Sequence, residues 1–112
     1  MKFMLMFFDT AAHQHPLTQP TEGAAWMAYA GAMGQAGVLV SGDGLQGRET
    51  ATSLRLRDGV RQVQDGPFAD TKEQLGGYFV IDVATLDDAL AWAARSPCAT
   101  TGTVELRPVL VM

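Results

Sequence analysis

With 112 residues, 47% of them hydrophobic and 18% charged, the chain has the size and balance of one domain over residues 1–112, and extended disorder is not expected. A net charge of −4 supplies no diffuse basic field, so direct binding to the phosphate backbone of DNA or RNA is excluded as an expectation. The single Cys98 allows no intramolecular disulfide, which fits a reduced, cytoplasmic setting, and no apolar run approaches the length of a membrane span.

From the N-terminus, Phe3-Met4-Leu5-Met6-Phe7-Phe8 is apolar at odd and even positions alike, the pattern of a strand covered on both faces. A loop is expected from Asp9 to Pro20, then a helix capped by Thr21 with Glu22 in its first turn. Its inward stripe is Trp26, Met27, Tyr29, Ala30 and Met33, and Gly37 stands where a left-handed C-cap belongs. Val38-Leu39-Val40-Ser41-Gly42 reads as a short strand running into a Gly-rich corner. Thr52 to Arg57 and Val60 to Gln64 alternate around Asp58-Gly59, a strong two-residue hairpin turn. Gly76-Gly77 opens the strand Tyr78 to Val83. A second helix starts at the capping box Thr85-x-x-Asp88, turns Leu86, Ala89, Leu90 and Ala93 inward, and stops at Arg95 before Pro97. Thr103 to Val111 is the last strand, with Pro108 at a bend or an edge.

This order predicts an α+β fold, a ferredoxin-like sheet with two helices on one face. Two helices cover one side only, yet the Phe3–Phe8 and Tyr78–Val83 strands are apolar on both. A second copy is therefore expected on the other face, making a homodimer.

The stretch Asp65-Gly66-Pro67-Phe68-Ala69-Asp70-Thr71-Lys72-Glu73-Gln74-Leu75-Gly76-Gly77-Tyr78 follows neither periodicity. It resembles the signature of the DGPF-domain branch of the YCII-related family, in which Asp-Gly-Pro-Phe precedes a Lys-Glu and a Gly-Gly pair. Gly37-Val38-Leu39, the Asp58-Gly59 hairpin, the Thr85–Pro97 helix and Glu105-Leu106-Arg107-Pro108 resemble further landmarks, so the resemblance covers nearly the whole chain. It implies a dimeric α+β barrel, a fold that hosts oxygenases, isomerases, lyases and binding or regulatory domains. The branch is associated with extracytoplasmic-function sigma factors, which implies a functional association with such a factor. A dechlorinating relative carries a His–Asp pair on its first helix. Here Trp26 and Gln35 stand at those places, which argues against the same acid–base mechanism.

In a barrel of this kind the loop overhangs a cleft, where Asp65 and Lys72 are the catalytic candidates. Asp43, Phe68, Glu73, Gly76 and Gly77 are the ligand-binding candidates. Against that stand plainer readings. Asp65 fastens its turn through backbone N–H groups, Lys72 is solvated, Phe68 anchors the loop, and the glycines allow a close backbone approach. His13 and His15 lack a third ligand nearby, so no metal site is expected, and no cofactor. Gly42-x-Gly44-x-x-Gly47 matches a dinucleotide fingerprint but precedes a hairpin where a helix is required. Arg55, Arg57 and Arg61 read as one exposed basic face of the hairpin, Glu105 and Arg107 as groups on one side of the last strand that pair with each other or with the dimer partner, and Trp26 and Trp92 as core. Ser41, Ser53 and Cys98 have no evident base beside them.

The leading expectation is a small-molecule-binding or accessory regulatory domain. The alternative is a cofactor-independent lyase or isomerase with Asp65 as base and Lys72 stabilising an anion. A protein-interaction module would instead show an exposed apolar patch on the outer helical face.

Overall fold

The structure, a computed structural model, describes residues 1–10 and 20–112. Strands β1 (Lys2–Asp9), β2 (Leu39–Gly44), β5 (Gln74–Asp82) and β6 (Thr103–Pro108) form one antiparallel sheet in the order β2-β5-β1-β6. Helix α1 (Pro20–Gln35) links β1 to β2, and helix α2 (Leu86–Ala94) links β5 to β6. This is the ferredoxin-like α+β arrangement. Between β2 and β5 the chain makes one 3₁₀ turn (Arg48–Thr50) and a separate hairpin, β3 (Thr52–Arg57) and β4 (Val60–Asp65).

Alternation along β1 divides the molecule. Phe3, Leu5 and Phe7 are buried with Tyr29 and Met33 of α1 and Ala89 and Ala93 of α2. Met4, Met6 and Phe8 point the other way and are half-buried. Phe7 centres a group of rings, with Trp26 edge-on at 4.8 Å and Phe79 at 5.8 Å. Both tryptophans pack on this core, as their inward spacing predicts.

Several expectations shift in detail. Helix α1 opens on Pro20, one residue ahead of the Thr21 expected before its first turn, a position that suits proline because the first turn leaves its N–H groups unbonded. Met27 is 73% exposed because the buried stripe runs through Tyr29 and Met33, with Trp26 half-buried beside it. In α2 the Thr85 hydroxyl accepts the Asp88 N–H at 3.1 Å, as the capping box requires. There, however, Ala89 and Ala93 are buried while Leu86 and Leu90 stay about half exposed. The alanine stripe lies roughly 60° round the helix from the leucines and lets the backbone come close to the sheet.

Gly37 adopts φ +74°, and the Val38 N–H donates to the Met33 carbonyl at 3.1 Å, closing α1 as expected. Asp58 at φ +53° and Gly59 at φ +75° make the tight hairpin turn. Its register pairs Arg55 with Gln62 and Leu56 with Arg61, so Arg61 faces away from Arg55 and Arg57 and the three form no single basic face. Only the single 3₁₀ turn Arg48–Thr50 follows Gly47, not the α-helix a dinucleotide site demands, and Gly42 has another purpose: a Cβ there would lie 2.1 Å from the Phe79 ring. No helix among the described residues is long and apolar enough to span a bilayer.

Candidate functional site

On the side of the sheet away from the helices, direct cross-strand partners share a face and form rows. One row is Arg107, Met4, Val80 and Ser41. The next is Glu105, Met6, Tyr78 and Asp43, and beyond it lie Thr103, Phe8 and Leu75. The result is a half-buried apolar stripe bounded by Asp43 at one edge and by Glu105 and Arg107 at the other. The Tyr78 hydroxyl donates to Asp43 Oδ2 at 3.1 Å. That hydrogen bond and the Asp43 charge raise the phenol pKa, so Tyr78 stays a donor and orients the carboxylate. Gly77 makes the row close: a Cβ on it would sit 3.0 Å from the Asp43 carbonyl oxygen of the neighbouring strand. Gly76 lies at the register shift opposite Phe7 and Phe8, and its carbonyl accepts the Leu45 N–H at 2.8 Å. Among the described residues no ion pair joins Glu105 to Arg107.

A second polar group closes the end of β1. Asp9, 7% exposed, continues the buried register of Phe3, Leu5 and Phe7. Its Oδ1 accepts the Thr10 N–H at 2.8 Å and its Oδ2 accepts the Thr101 hydroxyl at 2.6 Å. Arg48 is a clamp: its guanidinium donates to the carbonyls of Asp9, Thr71 and Lys72, tying the loop after β4 to the end of β1. Glu73 accepts the Thr103 hydroxyl at 2.8 Å on the adjoining strand.

Asp65 and Lys72 are not brought together with Asp43. Asp65 is exposed on the hairpin opposite Thr52, and Lys72 is an exposed loop residue whose carbonyl serves Arg48. The turn after β4 is not fastened by the Asp65 carboxylate. The Gly66 N–H donates to Ala51 at 2.6 Å and the Ser53 hydroxyl to the Gly66 carbonyl at 2.8 Å, with Gly66 at φ +90°. Phe68 anchors the loop under Arg55, whose guanidinium lies 3.9 Å from the ring centre. His13 and His15 lie outside the described residues; among those described, no three potential ligands gather as a metal site.

The model of the YCII-related domain matches residues 1–112. The chain belongs to the YCII-related family. Over 61 residues it is 49% identical to the uncharacterized protein R00369 of Rhizobium meliloti (strain 1021), a match that takes in 53% of this chain and 49% of that protein, so the matched segment spans about half the relative's length. In structure it is similar to the 5-chloro-2-hydroxyhydroquinone dehydrochlorinase TftG of Burkholderia phenoliruptrix AC1100, solved in complex with 2,5-dihydroxybenzoquinone. The likeness has a TM-score of 0.59 at 13% identity, over 98% of this chain and 94% of that one. At that identity the likeness shows the fold alone.

Sequence reasoning about this YCII-related chain missed Asp9, Arg48, Tyr78 and Thr101. Asp9 did leave a signal, since a carboxylate at the next odd position after Phe3, Leu5 and Phe7 falls on the buried face. Cys98, buried beside it, donates weakly to the Phe8 carbonyl, and burial first and Asp9 second push its thiol up to about 11. It is thus a protonated core residue at neutral pH and not a nucleophile. Burial likewise holds Tyr29 up to about 12, with its hydroxyl bonded to the Trp92 carbonyl at 2.7 Å.

Both groups bind a proton more tightly folded than unfolded, so their stabilisation is complete below the unfolded values and is lost as pH rises through the folded ones. Stability measured by urea unfolding should therefore fall from the ordinary thiol range towards pH 11. Cys98→Ala should flatten the lower part of that fall, and an unchanged profile would contradict the assignment.

Proposed function

We propose that this YCII-related chain is a homodimeric small-molecule-binding domain whose ligand lies on the uncovered sheet face, at Asp43 and Tyr78. The observation that carries the reading is the composition of that face. Met4, Met6, Phe8, Leu75 and Val80 make an apolar wall, and one hydrogen-bonded Tyr–Asp pair gives it a polar anchor, the usual chemistry of a ligand site. Tyr78 occupies one Asp43 oxygen and leaves the other to accept from a ligand hydroxyl or ammonium. A second copy over the face would exclude water and strengthen that contact.

Glu73, at the Phe8 end of the face, supplies a second acceptor, and Gly76 and Gly77 set the strand spacing. A cytoplasmic setting and a regulatory link to an extracytoplasmic-function sigma factor are compatible extensions of this reading.

Native mass spectrometry of the freshly purified protein, beside its denatured mass, tests dimer and ligand together. The expected result is a dimer whose retained or added hydroxylated aromatic ligand is bound at least about tenfold more weakly in Asp43→Asn and Tyr78→Phe. A wild-type monomer, or variants that bind as well as wild type, would overturn the reading.

A second reading is favoured by TftG, a dehydrochlorinase solved with a quinone. In it the same face carries out proton-transfer chemistry without a cofactor. Asp65 remains the proposed base and Lys72 the group that stabilises the anion, although both lie off this face on the hairpin and the loop after it; Asp43, on the face itself, is the rival base. Separate Asp43→Asn and Asp65→Asn variants, assayed on chlorinated hydroquinones, assign the base: the one that abolishes turnover carries it, and turnover undiminished in both removes carboxylate catalysis.

A further inference from the structure

The β3–β4 hairpin stands apart from its own protomer. The radius of gyration is 15.5 Å, with extents of 47 × 39 × 19 Å, against about 13 Å for a compact chain of this length. A two-stranded ribbon is marginal in water unless one face packs on something. The anchors that hold this one are all near its base: Ser53 on Gly66, Gln64 on the Pro67 carbonyl, and Arg55 over Phe68. These use the face that carries Ser53, Arg55 and Gln64.

The opposite face holds Leu54 paired with Val63, Leu56 paired with Arg61 towards the tip and, at the base, Thr52 paired with Asp65. Leu54, Leu56 and Val63 are 56%, 61% and 55% exposed, an apolar ribbon that no described residue of its own protomer covers.

We infer that this ribbon is an exchanged arm, whose Leu54–Leu56–Val63 face roofs the open sheet face of a second copy of this chain. The inference rests on the dimer reading above and says what makes the dimer. Size fits: each six-residue strand of the arm is about 20 Å long, the width of four strands spaced about 4.8 Å apart. Apolar character fits, since the ribbon meets Met4, Met6, Phe8 and Val80.

Charge fits as well. Residues 52–65 carry three of the chain's eight basic residues against two acids, whereas the remainder carries five against ten. Arg61, on the apolar face of the arm, comes to the acidic row of the partner's Asp43 and the partner's Glu105. Each ligand cleft is then built by two chains, sheet from one and roof from the other.

The test compares dimer dissociation constants by analytical ultracentrifugation for the wild type, Leu54→Asp/Leu56→Asp and Arg61→Glu. The substituted side chains are exposed, so unchanged far-UV circular dichroism is expected for each protomer. The double variant should dissociate at least about a hundredfold more readily and Arg61→Glu about tenfold, with the latter defect relieved by adding Glu105→Lys.

A wild-type monomer would overturn the dimer reading and the arm with it. A wild-type dimer that the arm variants leave unweakened would overturn the arm alone, keep the dimer, and assign the ribbon to a different macromolecule.

Discussion

Gly102→Ala should destabilise the protein by about 3 kcal/mol, seen as a lower urea midpoint and a Tm reduced by roughly 15 °C. A methyl group at that position would lie 2.1 Å from the Phe8 carbonyl oxygen and 2.9 Å from the Asp9 carboxyl carbon. Neither neighbour yields cheaply. Phe8 belongs to a central strand bonded on both sides, and Asp9 is held at both oxygens by Thr10 and Thr101. The loop from Cys98 to Gly102 is also closed by the Gly102 N–H donating to the Cys98 carbonyl at 2.8 Å, so backing the glycine away breaks that bond. A Gly102→Ala protein as stable as wild type would mean that the end of β1 is looser than this packing.

Met6→Asp should turn the proposed dimer into a monomer, with a dissociation constant raised about a hundredfold or more, equivalent to roughly 3 kcal/mol. Met6 lies between Glu105 and Tyr78 on the open face, with Asp43 just beyond. An aspartate there puts a third carboxylate in a row that already holds two, and covering it with a second copy leaves a buried charge without a partner. The protomer itself should tolerate the change, because in isolation this face meets water. Sedimentation equilibrium together with circular dichroism separates the two effects. A folded Met6→Asp dimer of wild-type affinity would place the interface elsewhere and remove the water-excluded cleft from the proposed function.

The two faces of β1 have different partners. On the helix side, Phe3, Leu5 and Phe7 meet Tyr29, Met33 and two alanines of α2 within the protomer, so a defect there is read as stability. On the other side, Met4, Met6 and Phe8 are half-buried in the lone chain, so under the proposed dimer a defect there is read as association.

The framework was legible in short stretches of chain. The β1 strand with its buried Phe3, Leu5 and Phe7, the Asp58-Gly59 turn, Gly37 and the Thr85–Asp88 capping box each depend on residues a few positions apart, and all four hold in the structure. The Asp-Gly-Pro-Phe loop likewise marked the family. Which charged groups meet depends instead on contacts between residues far apart in the chain. Arg48 reaches the carbonyls of Thr71 and Lys72 across more than twenty positions, Tyr78 finds Asp43 across a strand pairing, and Thr101 finds Asp9 from the far end of the chain. Register decided the rest. A shift of one residue reverses every side chain of a strand, so Arg61 faced away from Arg55 and Arg57 although all three lie on one hairpin, and Asp65 stayed on that hairpin while Asp43 took the sheet. Periodicity names the faces of an element, but which face of a partner each one meets is fixed by pairings among residues distant in the chain.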